Sequence, residues 1–229
     1  MKDLKELEKK LGITFINPIF LQTSVIHRSY LNEHKDLKLQ HNERLEFLGD
    51  AVLELITTEY LFLHYDNPEG ELTNWRASLV NANMLAEIAT ALDIEPFIKM
   101  SKGEARDKNP KARHYILANA LEAIIGAIYL DQGITVAKKF IDENILTKLP
   151  YILQNHLHLD PKSKFQEKAQ ETYNITPIYK VLEESGPDHN KFFKVGIYLN
   201  DELVAEGEGT SKQEAQVDAA EKAITEKNW

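Results

Sequence analysis

The sequence lacks cysteine entirely and contains no long uninterrupted apolar run. The absence of cysteine excludes a disulfide framework, a thiol nucleophile and a cysteine-based zinc site, and it fits a reducing compartment. No stretch approaches the roughly 20 apolar residues that a helix needs to span a bilayer. The charged N-terminal segment MKDLKELEKKLG has a helical period and differs from a secretion signal. These absences predict a cytoplasmic globular protein with no membrane partner.

Positive charge is also scarce. The chain has 27 Lys and Arg against 36 Asp and Glu, for a net charge of −9, and residues 160–229 carry 9 lysines against 14 acidic residues. Surfaces that bind phosphate are usually basic, so this balance taken alone argues against a nucleic-acid partner. Any nucleic-acid binding therefore has to come from the local placement of cationic side chains.

Two halves of the chain differ in their periodicity. Residues 1–150 are predicted to form an all-α domain, because the segments 45–65 and 114–131 are long, apolar and free of proline. An amphipathic segment at 70–93 adds a further helix, and Pro18 favours a helix start. A helical bundle is the fold class that this pattern indicates.

The second half is predicted to be a small α+β domain. Residues 151–160 are interpreted as a linker, and 161–229 as a domain of α-β-β-β-α order. A helix is expected at 161–173 and alternating, β-rich runs follow it. The final helix is expected to begin after Ser211, whose side chain is a favourable N-cap.

Several carboxylates stand where apolar residues are expected. Glu43, Glu46 and Asp50 fall on one side of a single helix and are surrounded by apolar residues. Glu122 lies in the segment LANALEAIIGAIYL, with no lysine or arginine from 116 to 130. Burying such groups unpaired is costly. A hard divalent cation such as Mg²⁺, which takes oxygen ligands and suits phosphate substrates, would neutralise them.

A structural interpretation of the same acids stays open at this point. They would then lie at the solvent-exposed edges of their helices or pair with Arg44 and Arg76. An isolated glutamate in an apolar helix favours that interpretation. Three acids on one stripe and a fourth in another apolar helix favour the metal site.

These residues carry a family resemblance. Residues 42–51, NERLEFLGDA, closely resemble the ribonuclease III signature, a pattern of high specificity. The resemblance continues through 27–30 (HRSY), 69–70 (EG), 75–80 (WRASLV) and 122–131 (EAIIGAIYLD). It covers essentially the whole chain, since the C-terminal unit looks like the double-stranded-RNA-binding domain of the family. It implies an endoribonuclease for double-stranded RNA that acts in ribosomal and messenger RNA processing.

The resemblance also implies a site and an assembly. Glu46, Asp50 and Glu122 would be the catalytic, metal-binding carboxylates, and Asn119 would occupy a fourth ligand position. Mg²⁺ would be the cofactor, with Mn²⁺ as a substitute. Cleavage would leave 5′-phosphate and 3′-hydroxyl ends with a short 3′ overhang. The enzyme would be a homodimer whose two centres face one valley, and two further acids would lie in that valley, Glu43 and Glu69.

The resemblance assigns RNA contacts in the second domain as well. Such domains recognise duplex RNA by shape, through 2′-hydroxyl and phosphate contacts. The matching positions are Gln166, Glu167, His189, Lys191, Ser211 and Lys212. Acids such as Glu183 and Glu184 would have to face away from the RNA, which predicts modest affinity with a shallow salt dependence. A protein-binding version of the same fold is the alternative.

Asn119 departs from the family pattern, which usually has aspartate at this position. An amide oxygen can ligate a metal or orient a bound water, but it carries no charge. The expected consequence is weaker Mg²⁺ binding, a preference for Mn²⁺ or slower turnover. The alternative function is therefore a double-stranded-RNA-binding protein with weak or no cleavage. Retention of the other acids favours catalysis.

Overall fold

The computed structural model describes residues 3–107, 109–158, 160–187 and 191–229. The chain divides into two compact units, Met1–His158 and Leu159–Trp229. The first is helical and the second has the order α-β-β-β-α, which confirms the predicted fold class. Over the described ranges, every helix is too short or too polar to cross a bilayer.

Besides 3₁₀ turns at Glu95–Phe97 and Leu146–Lys148, the described part of the first unit contains ten α-helices. They are α1 (Leu4–Leu11), α2 (Pro18–Ser24), α3 (Arg28–Glu33), α4 (Glu43–His64), α5 (Glu69–Val80), α6 (Ala82–Ala91), α7 (Lys102–Arg106), α8 (Pro110–Gln132), α9 (Ile134–Asn144) and α10 (Leu149–Gln154). Helix α8 lies at the centre and packs against α2, α4, α6 and α9. It is apolar on most faces because neighbouring helices surround it, as its sequence predicted.

The segment 70–93 forms two helices, whereas its amphipathic pattern predicted one. Asn81 has extended backbone angles, and its side-chain oxygen accepts the Met84 N–H at 3.0 Å. Its amide group donates to the Ala77 carbonyl oxygen at 3.1 Å. The asparagine thus satisfies the ends of both helices, which removes the penalty for the break. Hydrophobic periodicity runs through this position and does not reveal it.

The first unit continues into the segment that was interpreted as a linker. Leu149 and Ile152 are fully buried, since residues three apart lie on the same face of a helix. The predicted linker, 151–160, therefore begins inside α10. Beyond this helix, the ring of His158 packs edge-on against Trp75 with 6.0 Å between their centroids.

The second unit packs two helices on one face of an antiparallel sheet. Its elements are α11 (Pro161–Tyr173), β1 (Ile178–Ser185), β2 (Phe192–Leu199), β3 (Glu202–Gly209) and α12 (Lys212–Lys227), with β2 at the centre of the sheet. Val195, Ile197 and Leu199 alternate along β2 and are buried. A Cβ atom on Gly207 would lie 2.1 Å from the backbone nitrogen of Ala219, so α12 lies directly on β3.

Candidate active site and nucleic-acid interface

A close crossing of α4 and α8 positions the candidate catalytic residues. A Cβ atom on Gly49 would lie 1.8 Å from the carbonyl oxygen of Glu122, and one on Gly126 would lie 2.2 Å from that of Leu45. The two backbones therefore approach until no side chain fits between them. Because Gly49 directly precedes Asp50, the crossing brings the acids of the two helices together.

Electrostatics show that these acids influence one another. Burial raises the pKa of Glu122, and the negative charges of Asp50 and Glu46 contribute to the rise, which brings it to about 8. Burial also raises the pKa of Glu46, with contributions from Glu43 and Asp50. The side-chain amide of Asn119 interacts with Glu46 and opposes that rise. We call the group of Glu46, Asp50, Asn119 and Glu122 the carboxylate cluster.

Within the described residues, neither Arg44 nor Arg76 forms an ion pair with these acids. Arg76 donates to the hydroxyl oxygen of Thr58 at 2.9 Å. Within the described ranges, no ion pair includes Glu46, Asp50 or Glu122. Negative charge at the cluster is thus left without a cationic side chain, which is unfavourable for three carboxyl groups that lie close together.

The donor chemistry of the cluster fits a hard divalent cation. The described residues contain no group of three or more His, Asp or Glu side chains already arranged as a metal site. The cluster does offer three carboxylates and one amide oxygen, and Mg²⁺ prefers oxygen ligands and keeps several waters. The protein therefore has to supply only part of the coordination shell.

The two remaining acids of the expected valley have different surroundings. Glu43 is exposed and lies 3.5 Å from the guanidinium group of Arg28 and 3.7 Å from the ring of His41. Glu69 is exposed at the start of α5, where it accepts a hydrogen bond from Thr73 at 3.1 Å. It lines a groove of about 580 Å³ and is not among the groups that shift the pKa values of the cluster. Glu43 thus adjoins the cluster and Glu69 does not influence it.

Two glycines create this site, and their role was not predicted from the sequence. A glycine inside a helix costs about 1 kcal/mol relative to alanine, so it requires a compensating role. Gly49 and Gly126 each stand in the middle of a long apolar helix. Both glycines could therefore have indicated, from the sequence alone, that another backbone lies close to the helix.

The second unit carries the residues expected to contact RNA. Gln166 and Glu167 are exposed on α11. Ser211 caps α12 by accepting the Glu214 N–H at 3.1 Å. His189 lies outside the described residues.

The two lysines of this set share one acid. Lys191 lies 2.9 Å and Lys212 lies 3.5 Å from the carboxylate of Glu184. Glu184 was expected to face away from RNA, and its carboxylate contacts both lysines that the resemblance assigns to RNA binding. Its side chain lies on the helix-facing side of the sheet, where both ammonium groups reach it.

Comparison with known families supports this two-part organisation. A family described as Ribonuclease-III-like matches residues 17–149, and the Double-stranded RNA binding motif matches residues 161–227. A protein named Ribonuclease 3 from Protochlamydia amoebophila is 42% identical over 96% of this chain and 90% of its own length. One of the same name from Carboxydothermus hydrogenoformans is 43% identical over 97% of this chain and 95% of its own length.

A solved structure resembles the first unit in particular. It is the nuclease domain of a ribonuclease III from Campylobacter jejuni, whose description concerns structural flexibility in a region involved in dimer formation. The match covers 65% of this chain and 99% of that domain, with 40% identity and a TM-score of 0.57.

Proposed function

Because the chain belongs to the ribonuclease III family, we propose that the carboxylate cluster is the centre at which it hydrolyses double-stranded RNA. The protein is a ribonuclease III, in which a helical nuclease unit precedes a double-stranded-RNA-binding unit. Enzymes of this family depend on divalent metal ions. The observation that carries the proposal is the meeting of three unpaired carboxylates at the glycine crossing of α4 and α8.

Glu46, Asp50, Asn119 and Glu122 would hold the metal ion, which we propose to be Mg²⁺ with Mn²⁺ as a substitute. When bound, such an ion supplies charge stabilisation at the scissile phosphate and an activated water. The carboxylates would fix the position of the ion. Glu122 has to lose its proton to act as a ligand. The side-chain amide of Asn119 opposes the rise in the pKa of Glu46 and so favours its charged, metal-binding form. We propose that water, and not a side chain, attacks the scissile phosphate and that the 3′ oxygen leaves, so that hydrolysis gives a 5′-phosphate and a 3′-hydroxyl.

A direct test is the cleavage of an end-labelled RNA duplex with Mg²⁺, Mn²⁺ or EDTA. Metal-dependent scission with a short 3′ overhang is the expected result. Precursors of ribosomal RNA and structured messenger RNA are the proposed substrates in the cell. RNA that stays intact with either metal, yet still shifts on a native gel, would mean that the protein binds without cutting.

We further propose that the enzyme is a homodimer formed by α4. An ordinary core helix explains the burial of Leu45 and Leu53, but Phe47 on the same helix is 81% exposed. Phe47 borders a groove of about 830 Å³ whose other apolar lining includes Phe20 and Leu130. In a two-fold dimer the same surface serves both partners, so each Phe47 would enter the groove of the other subunit.

Removal of this ring is expected to weaken the dimer. Phe47→Ala loses about 2 kcal/mol of apolar burial at each of two symmetric contacts, so the dissociation constant should rise by about a thousandfold. Sedimentation equilibrium measures this change. Tyr151→Ala, which removes another largely exposed aromatic ring, is the control and should leave the assembly unchanged. Equal dissociation constants for Phe47→Ala and the unaltered protein would exclude this interface.

Restoring the charge at position 119 is expected to alter metal use. Asn119→Asp adds a fourth carboxylate, so the Mg²⁺ concentration for half-maximal cleavage should fall by about tenfold. Without metal the same change should lower the melting temperature, because it adds like charge to the cluster. Metal titrations and thermal melts in EDTA test both effects. An unchanged metal requirement, with an unchanged melting temperature, would place Asn119 outside the metal site.

A further inference from the structure

One carboxylate in the second unit bridges two lysines from separate elements. Glu184 stands near the end of β1, Lys191 precedes β2, and Lys212 is the first residue of α12. One oxygen of Glu184 lies 2.9 Å from Lys191 Nζ, and the other lies 3.5 Å from Lys212 Nζ. The two ammonium groups lower the pKa of Glu184, so the carboxylate is ionised at neutral pH.

The sheet register explains why Glu184 faces the helices. Glu184 pairs with Phe193 across β1 and β2, and paired residues share a face of the sheet. Phe193 is buried, and its ring lies 5.5 Å from Lys212 Nζ. The neighbouring Glu183 pairs with Lys194 and points to the opposite face. The chain therefore offers two adjacent glutamates of equal charge, of which only Glu184 meets the lysine pair.

At the start of α12, side chains of the protein likewise accept hydrogen bonds from the backbone. The carboxylate of Glu214 accepts the backbone N–H of Thr210 at 3.0 Å, and Ser211 Oγ accepts the N–H of Glu214. Phosphate groups of a nucleic acid compete for the same kinds of donor, namely ammonium groups and N–H groups at a helix start. In the free protein, side chains of the chain itself already accept from two of these N–H groups and contact both ammonium groups.

We propose that Glu184 competes with RNA phosphates for Lys191 and Lys212, and thereby lowers the affinity of the second unit for duplex RNA. This inference rests on the proposed RNA contact of these two lysines. When RNA binds, its phosphate groups have to displace the carboxylate of Glu184 from the two lysines, in addition to releasing counterions. Glu184 then regains a cation from solution, which offsets part of the counterion release that drives association. The affinity and its salt dependence are both smaller than they would be without the Glu184 carboxylate.

A comparison of two charge-matched variants tests this role. Glu184→Gln should lower the dissociation constant for duplex RNA by about three- to tenfold at low ionic strength, and steepen the slope of log K against log salt by about one. Glu183→Gln removes the same charge on the other face and should change the affinity by less than twofold. The probe is a fluorescein-labelled RNA duplex of about 20 base pairs, longer than the roughly 16 that such a domain spans. Anisotropy in EDTA prevents cleavage.

A third variant separates this inference from the proposed RNA contact. In the background of Lys191→Ala and Lys212→Ala, the gain from Glu184→Gln should disappear. Equal effects of Glu183→Gln and Glu184→Gln would reduce the role of Glu184 to net charge and overturn the inference. If the double lysine variant binds as tightly as the unaltered protein, the proposed RNA contact itself is wrong. Thermal melts establish that each variant is folded.

Discussion

Glu122→Gln is expected to reduce cleavage of duplex RNA by about a thousandfold or more and to leave duplex binding within twofold. Glutamine keeps the size of the side chain but removes the charge that a divalent ion requires, and loss of the ion removes charge stabilisation at the scissile phosphate. Single-turnover cleavage and native gel shifts measure the two effects separately. Glu143→Gln, which alters an exposed acid on α9, is the control and should cleave normally. Residual cleavage within tenfold of normal would remove Glu122 from the catalytic set.

The same variant should change the pH dependence of stability. The pKa of Glu122 rises from an ordinary 4.5 to about 8 in the folded protein, so the folded state keeps a proton that the unfolded state loses between these values. The contribution of protonated Glu122 to the free energy of unfolding is thus fully present below pH 4.5 and is lost as the pH rises through about 8. In EDTA at pH 9, Glu122→Gln should be more stable by roughly 2 kcal/mol, a figure reduced for the remaining solvent exposure.

That gain should vanish near pH 4.5, where both proteins are neutral at this position. Thermal melts across the pH range measure it. Added Mg²⁺ should raise the melting temperature of the unaltered protein and not that of Glu122→Gln, because a ligand stabilises only the state that binds it. A variant that is destabilised at pH 9 would contradict the buried-acid explanation.

The second large effect is expected at the helix crossing. Gly49→Ala and Gly126→Ala each place a methyl group about 2 Å from a backbone oxygen of the facing helix. The helices have to separate, which should cost about 3 kcal/mol or more and lower the melting temperature by about 10 °C. Separation also moves Glu122 away from Asp50, so cleavage by the folded fraction should fall by about a hundredfold.

A matched control distinguishes the crossing from glycine in general. Gly103 lies in α7, and an added Cβ would meet only Ser101 Oγ, at 3.8 Å. Gly103→Ala should therefore be neutral or stabilise the protein by up to about 1 kcal/mol. Similar melting temperatures for Gly49→Ala and Gly103→Ala would contradict the close approach of α4 and α8.

Local sequence patterns predicted most of the secondary structure. The helix at Pro161–Tyr173 and the final helix after Ser211 were predicted within a residue, because capping residues and periodicity are properties of neighbouring positions. The break at Asn81 was missed since apolar periodicity is continuous across it. Helix α10 was missed because its short stripe of Leu149 and Ile152 acquires meaning only against a core.

The sequence by itself determined the chemistry of this protein, in the oxygen side chains at positions 46, 50, 119 and 122 and in the absence of cationic residues near Glu122. Only the tertiary structure decided which groups meet. The crossing at Gly49 and Gly126 joins residues more than seventy positions apart, and the sheet register turns Glu184 towards Lys212. The physical reason is that the chemical type of a side chain can be read from its own position in the sequence. Its pKa and its ion pairs depend on distances to other residues, which only packing establishes.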